Sequence, residues 1–153
     1  MQTLRIDTFL QQSPMFAINR VSRQFDSLAK HALAADNLNF MEGLVLAAIF
    51  FESPRQITPS QLAATFGTTR GNISHNISSL EAKGLLQRKI DPADARAYLL
   101  TLRQSGRKSA LRVISAFEKM QQTFEKEVGK AALADTLNSI RALEALACLS
   151  AIG

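Results

Sequence analysis

The sequence predicts a mainly α protein of about six helices and a single two-stranded hairpin, and three observations carry that expectation. Apolar residues recur at steps of three and four over most of the chain. Two short, well-punctuated helices stand side by side near its middle. Directly after them, two runs rich in Leu, Ile and Tyr flank Pro92, the composition of paired strands about a turn.

Composition bounds the rest. The 153 residues, 46% hydrophobic and 20% charged, suit one soluble globular unit over 1–153. The longest apolar run, Leu44–Phe51 (LVLAAIFF), lies between Glu42 and Glu52. It is far shorter than the roughly 20 residues that span a hydrocarbon core, so a buried helix is expected and no membrane partner. The opening MQTLRIDTFLQQSP carries Asp7 and lacks a basic start followed by an apolar stretch, so no export is expected and a cytoplasmic location is. Cys148 is the sole cysteine and His31 and His75 the only histidines. That excludes an intrachain disulfide, leaves no metal-ligand spacing, and makes Cys148 a packing residue. With no nucleophile elbow and no phosphate-cradling glycine loop, neither a catalytic residue nor a cofactor is expected.

Ser13-Pro14 opens a helix whose Phe16, Val21, Phe25, Leu28 and Leu33 keep helical spacing to about Ala35. Asp36-Asn37 breaks it, and Leu38 to Phe51 form a second helix, stopped by Ser53-Pro54. In ITPSQLAATFG, Thr58 and Gln61 fit a capping box, Pro59 the first helical position and Gly67 a left-handed stop. Thr68 or Thr69 then caps a helix that runs to Lys83 before Gly84. Two short helices joined this way have the outline of a helix-turn-helix. The runs at 85–90 and 97–102, around a loop containing Pro92, make the hairpin behind it a wing. From about Gln104 a helix carries Leu111, Ile114, Phe117, Met120, Phe124 and Val128. Gly129 interrupts it, and a last helix carries Leu133, Leu137, Ile140, Leu143, Leu146 and Leu149.

The second helix of the pair sets Ile73, Ile77 and Leu80 on one face. Roughly opposite lie Gly71, His75, Ser78, Ser79 and Ala82, with Asn72 and Ser74 on the flanks and Arg70 near the start. No charged side chain stands between Gly71 and Leu80, whereas an ordinary solvated helix face carries Glu and Lys pairs. Small neutral donors and acceptors suit close approach to base-pair edges in a major groove. The charge map agrees. Residues 55–107 hold eight basic side chains against three acidic ones, the whole +5 excess of the chain, and the flanks are nearly neutral. Such concentration points to a polyanion.

In order and in residues, the chain resembles the multiple antibiotic resistance regulator (MarR) family of winged helix-turn-helix transcriptional regulators. The likeness covers essentially the whole chain and is strongest from Ile57 to Gly106. There, Leu80-Glu81-Ala82-Lys83-Gly84-Leu85-Leu86 with Arg88 is similar to the family's join of recognition helix and wing, Asp91-Pro92-Ala93-Asp94-Ala95-Arg96 to its wing signature, and Leu102 with Gly106 to its wing exit. The resemblance implies a winged lobe at 38–103 and dimerisation helices at 4–35 and 104–153. It also implies a homodimer on a pseudo-palindromic operator in double-stranded DNA, and repression relieved in most members by a small phenolic or otherwise amphipathic effector. Carried over by position, contacts with DNA fall on Thr69, Arg70, Asn72, Ser74 and His75, with Arg96 at the wing tip held by Asp94; Ser78 on the same helix face and Arg88 at the join complete the set. His31, Phe40 and Met41 lie near where a ligand pocket would be bordered, equally readable as core or surface residues. Ala95 stands where many relatives have a second arginine, and Arg103 where a threonine usually caps the next helix, leaving Ser105 or Gln104 for that role.

The long terminal helices have more apolar stripe than a small winged lobe covers, and a C2 pair uses one such patch twice; mutual packing within a monomer is the competing expectation. The other function class compatible with the pattern is a winged-helix protein-interaction module that binds no nucleic acid. An enzyme would require His31 and His75 to converge.

Overall fold

The computed structural model describes residues 4–150. The order is α1 (Arg5–Gln11), α2 (Pro14–Leu33), a 3-10 turn (Ala34–Asp36), α3 (Phe40–Glu52), α4 (Pro59–Phe66), α5 (Arg70–Ala82), β1 (Leu86–Asp91), β2 (Asp94–Leu102), α6 (Gln104–Val128) and α7 (Lys130–Ser150). This is a mainly helical winged helix-turn-helix with seven α-helices and one antiparallel hairpin among the described residues. The extra helix is α1, missed because its start has no Ser, Thr or Pro signal; the Asp7 carboxylate instead accepts from the Leu4 N–H at 3.0 Å.

Two compact units divide the chain, one running to Val113 and the other beginning at Ile114. The first holds the core. Leu33, Val45, Leu46, Leu62, Ile73, Ile77, Leu80, Leu86, Leu100 and Val113 are all buried there, and the segment 38–103 lies within it. In the second unit no described residue is buried, and α7 buries nothing over 21 residues.

Local chemistry explains the boundaries. Ser13 Oγ accepts from the Phe16 N–H at 3.2 Å, with Pro14 at the first helical position. Asn37, at φ 52°, turns the chain out of the 3-10 segment. The next helix therefore starts at Phe40 rather than Leu38, capped by Asn39 in a reciprocal box with Glu42. It is less fully buried than its composition suggests, since Phe51 is 66% exposed whereas Glu42 is 2% exposed. Thr58 and Gln61 make the second box, and Gly67, at φ 61°, gives the left-handed stop that a side chain would strain.

The base of the hairpin is locked onto α6. Leu85 C=O accepts from the Arg103 N–H at 3.0 Å, and Gly84 C=O accepts from Ser105 Oγ at 2.8 Å. Ser105 thus holds the turn before the wing instead of serving as the cap of α6. The register pairs Leu86 with Leu102 through Ile90 with Tyr98, then jumps so that Asp91 faces Asp94. The expected open loop is therefore a two-residue turn at Pro92-Ala93, and the irregularity lies in β2.

Candidate nucleic-acid interface

The outward face of α5 is built from its cap. Thr69 Oγ1 accepts from the Asn72 N–H at 3.1 Å, satisfying an amide that the first turn leaves unpaired. Thr69 is thus the N-cap itself, which gives this expected contact residue a structural task as well. Ile73, Ile77 and Leu80 point into the core, and Arg70, Asn72, Ser74, His75 and Ser78 are exposed. Ser79 departs from the expected outward placement: it is half-buried and its hydroxyl bonds the Glu42 carboxylate.

Along the edge of α5 runs a polar seam that the sequence reading did not single out. Asn76 is 3% exposed. Its Nδ2 donates to Asn72 C=O at 2.7 Å and Asn72 Oδ1 at 3.1 Å, and its Oδ1 accepts from Asn39 Nδ2 at 3.1 Å. Lys83 Nζ donates to Glu42 Oε2 at 2.8 Å and Asn37 C=O at 2.5 Å. Asp36, on the same corner, accepts from Ser109 Oγ at 2.8 Å and from Arg112. Residues 36–42 thus hold both α5 and the start of α6. Burial pushes the Glu42 carboxyl up, but hydrogen bonds from Lys83, Ser79 and the Asn39 N–H outweigh it, so the group lies below the usual carboxylate range. For Asp36 the hydrogen bond from Arg112 dominates over burial, with the same net direction. The signal available in sequence was the spacing Asn72, Asn76, Ser79, Lys83, a hydrogen-bonding stripe beside the apolar one.

The wing carries the remaining expected contacts. Arg88 is tied down: its Nε and Nη2 meet Glu81 Oε2 at 2.9 and 2.7 Å, its N–H donates to Glu81 Oε1 at 3.3 Å, and its guanidinium lies 5.9 Å from the Tyr98 ring centre. That hydrogen bonding, chiefly from the Arg88 side chain, holds the Glu81 carboxyl below its ordinary range. At the tip, Asp91 Oδ1 accepts from the Ala93 N–H at 2.8 Å and shapes the turn. Asp94 Oδ1 accepts from the Arg96 backbone N–H at 3.0 Å. The expected pairing of the two side chains is therefore corrected: Asp94 orients the Arg96 main chain, and among the described residues no ion pair engages the guanidinium. Ala95, Arg96 and Ala97 form a bulge, lying between the partners of the consecutive residues Ile90 and Asp91. Across 55–107, Lys83 and Arg88 are neutralised by Glu42 and Glu81. Arg55, Arg70, Lys89, Arg96, Arg103 and Arg107 carry no ion pair among the described residues, Arg107 instead lying 5.3 Å from the Phe50 ring centre.

Comparison with known proteins bears on this arrangement. Residues 36–97, from the Asp36 corner through the wing tip, match a family model described as the MarR family. Over these 62 of its 153 residues the chain is similar to the MarR family. Its curated relative from Bacillus subtilis strain 168, an uncharacterized HTH-type transcriptional regulator called YdcH, is 25% identical over 114 residues, covering 73% of this chain and 78% of that protein. Among solved structures, the MepR–DNA complex from S. aureus is 20% identical with a TM-score of 0.78, covering 89% of this chain and 98% of that one. CouR from Rhodococcus jostii RHA1, bound to p-coumaroyl-CoA, is 19% identical with a TM-score of 0.74, covering 88% and 93%. At these identities the solved structures establish the fold alone, a winged helix over most of the chain. No single helix among the described residues is long and apolar enough to cross a membrane.

Proposed function

We propose that the chain is the subunit of a homodimeric, sequence-specific DNA-binding repressor of the cytoplasm. The observation that carries the reading is the outward face of α5, which exposes Asn72, Ser74, His75 and Ser78 without a charge between Arg70 and Glu81. Neutral side chains discriminate bases in a major groove, and the unpaired cations Arg70, Lys89 and Arg96 supply phosphate affinity. Arg96, raised on its bulge, suits a narrow minor groove with its enhanced negative potential. Thr69 and Asp94 act through the backbones of Asn72 and Arg96, and Arg88 holds the wing to α5. Residues 38–103 form the DNA-binding lobe. The segments 4–35 and 104–153 dimerise, a reading supported by the absence of buried residues in α1 and α7. An amphipathic or phenolic effector relieves repression, a reading supported by the relative bound to p-coumaroyl-CoA.

The test is titration of the protein onto fragments of its own genome at two salt concentrations. A subset of fragments should be retained at least about a thousandfold more tightly than the rest. Equal, weak affinity for every fragment would overturn the reading and favour a winged-helix module with a protein partner.

A further inference from the structure

The donor–acceptor order along the seam of α5 is fixed by two main-chain groups. Asn39 Oδ1 accepts from the Glu42 N–H at 2.8 Å, and a backbone N–H can only donate, so Asn39 must turn its Nδ2 toward Asn76. Asn76 meets it with Oδ1, at 3.1 Å. The other end of the same carboxamide donates from Nδ2 to Asn72 C=O, which can only accept, at 2.7 Å, so Asn76 is held from both ends and loses one hold without Asn39. Asn72 therefore offers its oxygen to Asn76, at 3.1 Å, and its Nδ2 to Thr68 Oγ1, at 2.9 Å. No carboxamide in the series can flip without setting two donors or two acceptors against each other. Asn72 is exposed while Asn76 is buried, so the fixed order emerges at the surface of the helix. After these bonds, the Asn72 carboxamide keeps one N–H and one oxygen lone pair for a partner.

We infer that Asn39 and Asn76 are specificity-determining positioning residues, which clamp Asn72 with one donor and one acceptor outward so that it reads an adenine in the major groove. A carboxamide of that orientation bonds adenine N7 and N6–H together, a pairing guanine does not offer. This inference rests on the DNA-binding reading above and adds to it the base read and two residues that read it indirectly. Asn39, outside α5 altogether, acts only through Asn76.

Selection from a random duplex library tests it, with wild type, Asn72→Ala, Asn39→Ser and the double variant compared. Serine keeps a capping oxygen for the Glu42 N–H and removes the amide donor; Asn39→Asp does the same in an isosteric shape and guards against a folding defect in the serine variant. Wild type should enrich an adenine at one position of each half-site. Asn72→Ala and either Asn39 variant should lower that preference about tenfold, leaving the other positions and the salt dependence unchanged, and the double variant should be no worse than Asn72→Ala alone. A purely structural role for Asn39 would weaken all positions together and add to Asn72→Ala, which overturns the inference. Retention of the adenine preference in both Asn39 variants also overturns it while leaving the DNA-binding reading intact. Failure of wild type to enrich any sequence overturns that reading, and the inference with it.

Discussion

At the scale of single residues, the informative contacts are those in which an acidic group serves a basic site. Asp94 adds a negative charge next to the tip arginine, yet its oxygen fixes the Arg96 N–H within a bulge. Two substitutions separate charge from geometry. Asp94→Asn keeps an acceptor and loses the charge, so it should bind DNA as well as or better than wild type. Asp94→Ala loses both and should bind more weakly, as measured by fluorescence anisotropy on a retained fragment. Plain electrostatics predicts that both tighten. Arg88 is the opposite case, a cation already compensated by Glu81. Arg70→Ala should reduce the slope of log affinity against log salt by about 0.9, one phosphate's worth of released counterions; Arg88→Ala should reduce it by less and instead loosen β1. Equal slopes for the two variants would show that Arg88 contacts phosphate directly.

At the scale of elements, what was legible in the sequence is what is encoded within three or four residues. Thr58 with Gln61, Ser13 with Pro14, and Gly67 are local punctuation, and each lies in the structure where its chemistry required. The corner at 36–42 was illegible because its partners are distant: Asn39 reaches Asn76 across 37 positions, and Asp36 reaches Ser109 across 73. The wing lock was visible only as a glycine. A Cβ on Gly106 would lie 1.9 Å from the Leu85 oxygen, an atom that also accepts from Arg103 and cannot withdraw freely. Gly106→Ala should therefore destabilise the first unit by about 3 kcal/mol, the upper end of overpacking costs, read from urea unfolding. The corner carries its own signature in pH. Asp36 and Glu42 both titrate below their ordinary range in the folded chain. The stability they contribute is thus fully present above their unfolded values, about pH 4, and is lost as pH falls through the lowered folded values. The urea midpoint should hold from about pH 7 to 5 and decline below about 4, with a shallower decline in Asp36→Asn and Glu42→Gln.

At the scale of the whole molecule, the contrast is between a first unit with a dense core and long helices that bury almost nothing. Leu146 and Leu149 are 60% and 68% exposed, and Leu137 and Ile140 are exposed on the same helix. Exposed leucines scattered singly are unremarkable, but a helix of 21 residues with none buried has no internal reason to persist in water. In the proposed homodimer a second copy of the chain supplies that reason, and joining two lobes makes the second contact with a two-half-site operator intramolecular. Leu137 is exposed on a helix with no buried residue, so Leu137→Asp removes no side chain from the core of the first unit. Its unfolding in urea should therefore stay as in wild type while sedimentation shifts from two chains to one. Affinity for a two-half-site fragment should then fall at least about a hundredfold, with affinity for a single half-site unchanged. An unchanged sedimenting mass with normal DNA binding would mean that these leucines lie outside the dimer contact, and a loss of the first unit's folding would mean that α7 supports that unit within one chain.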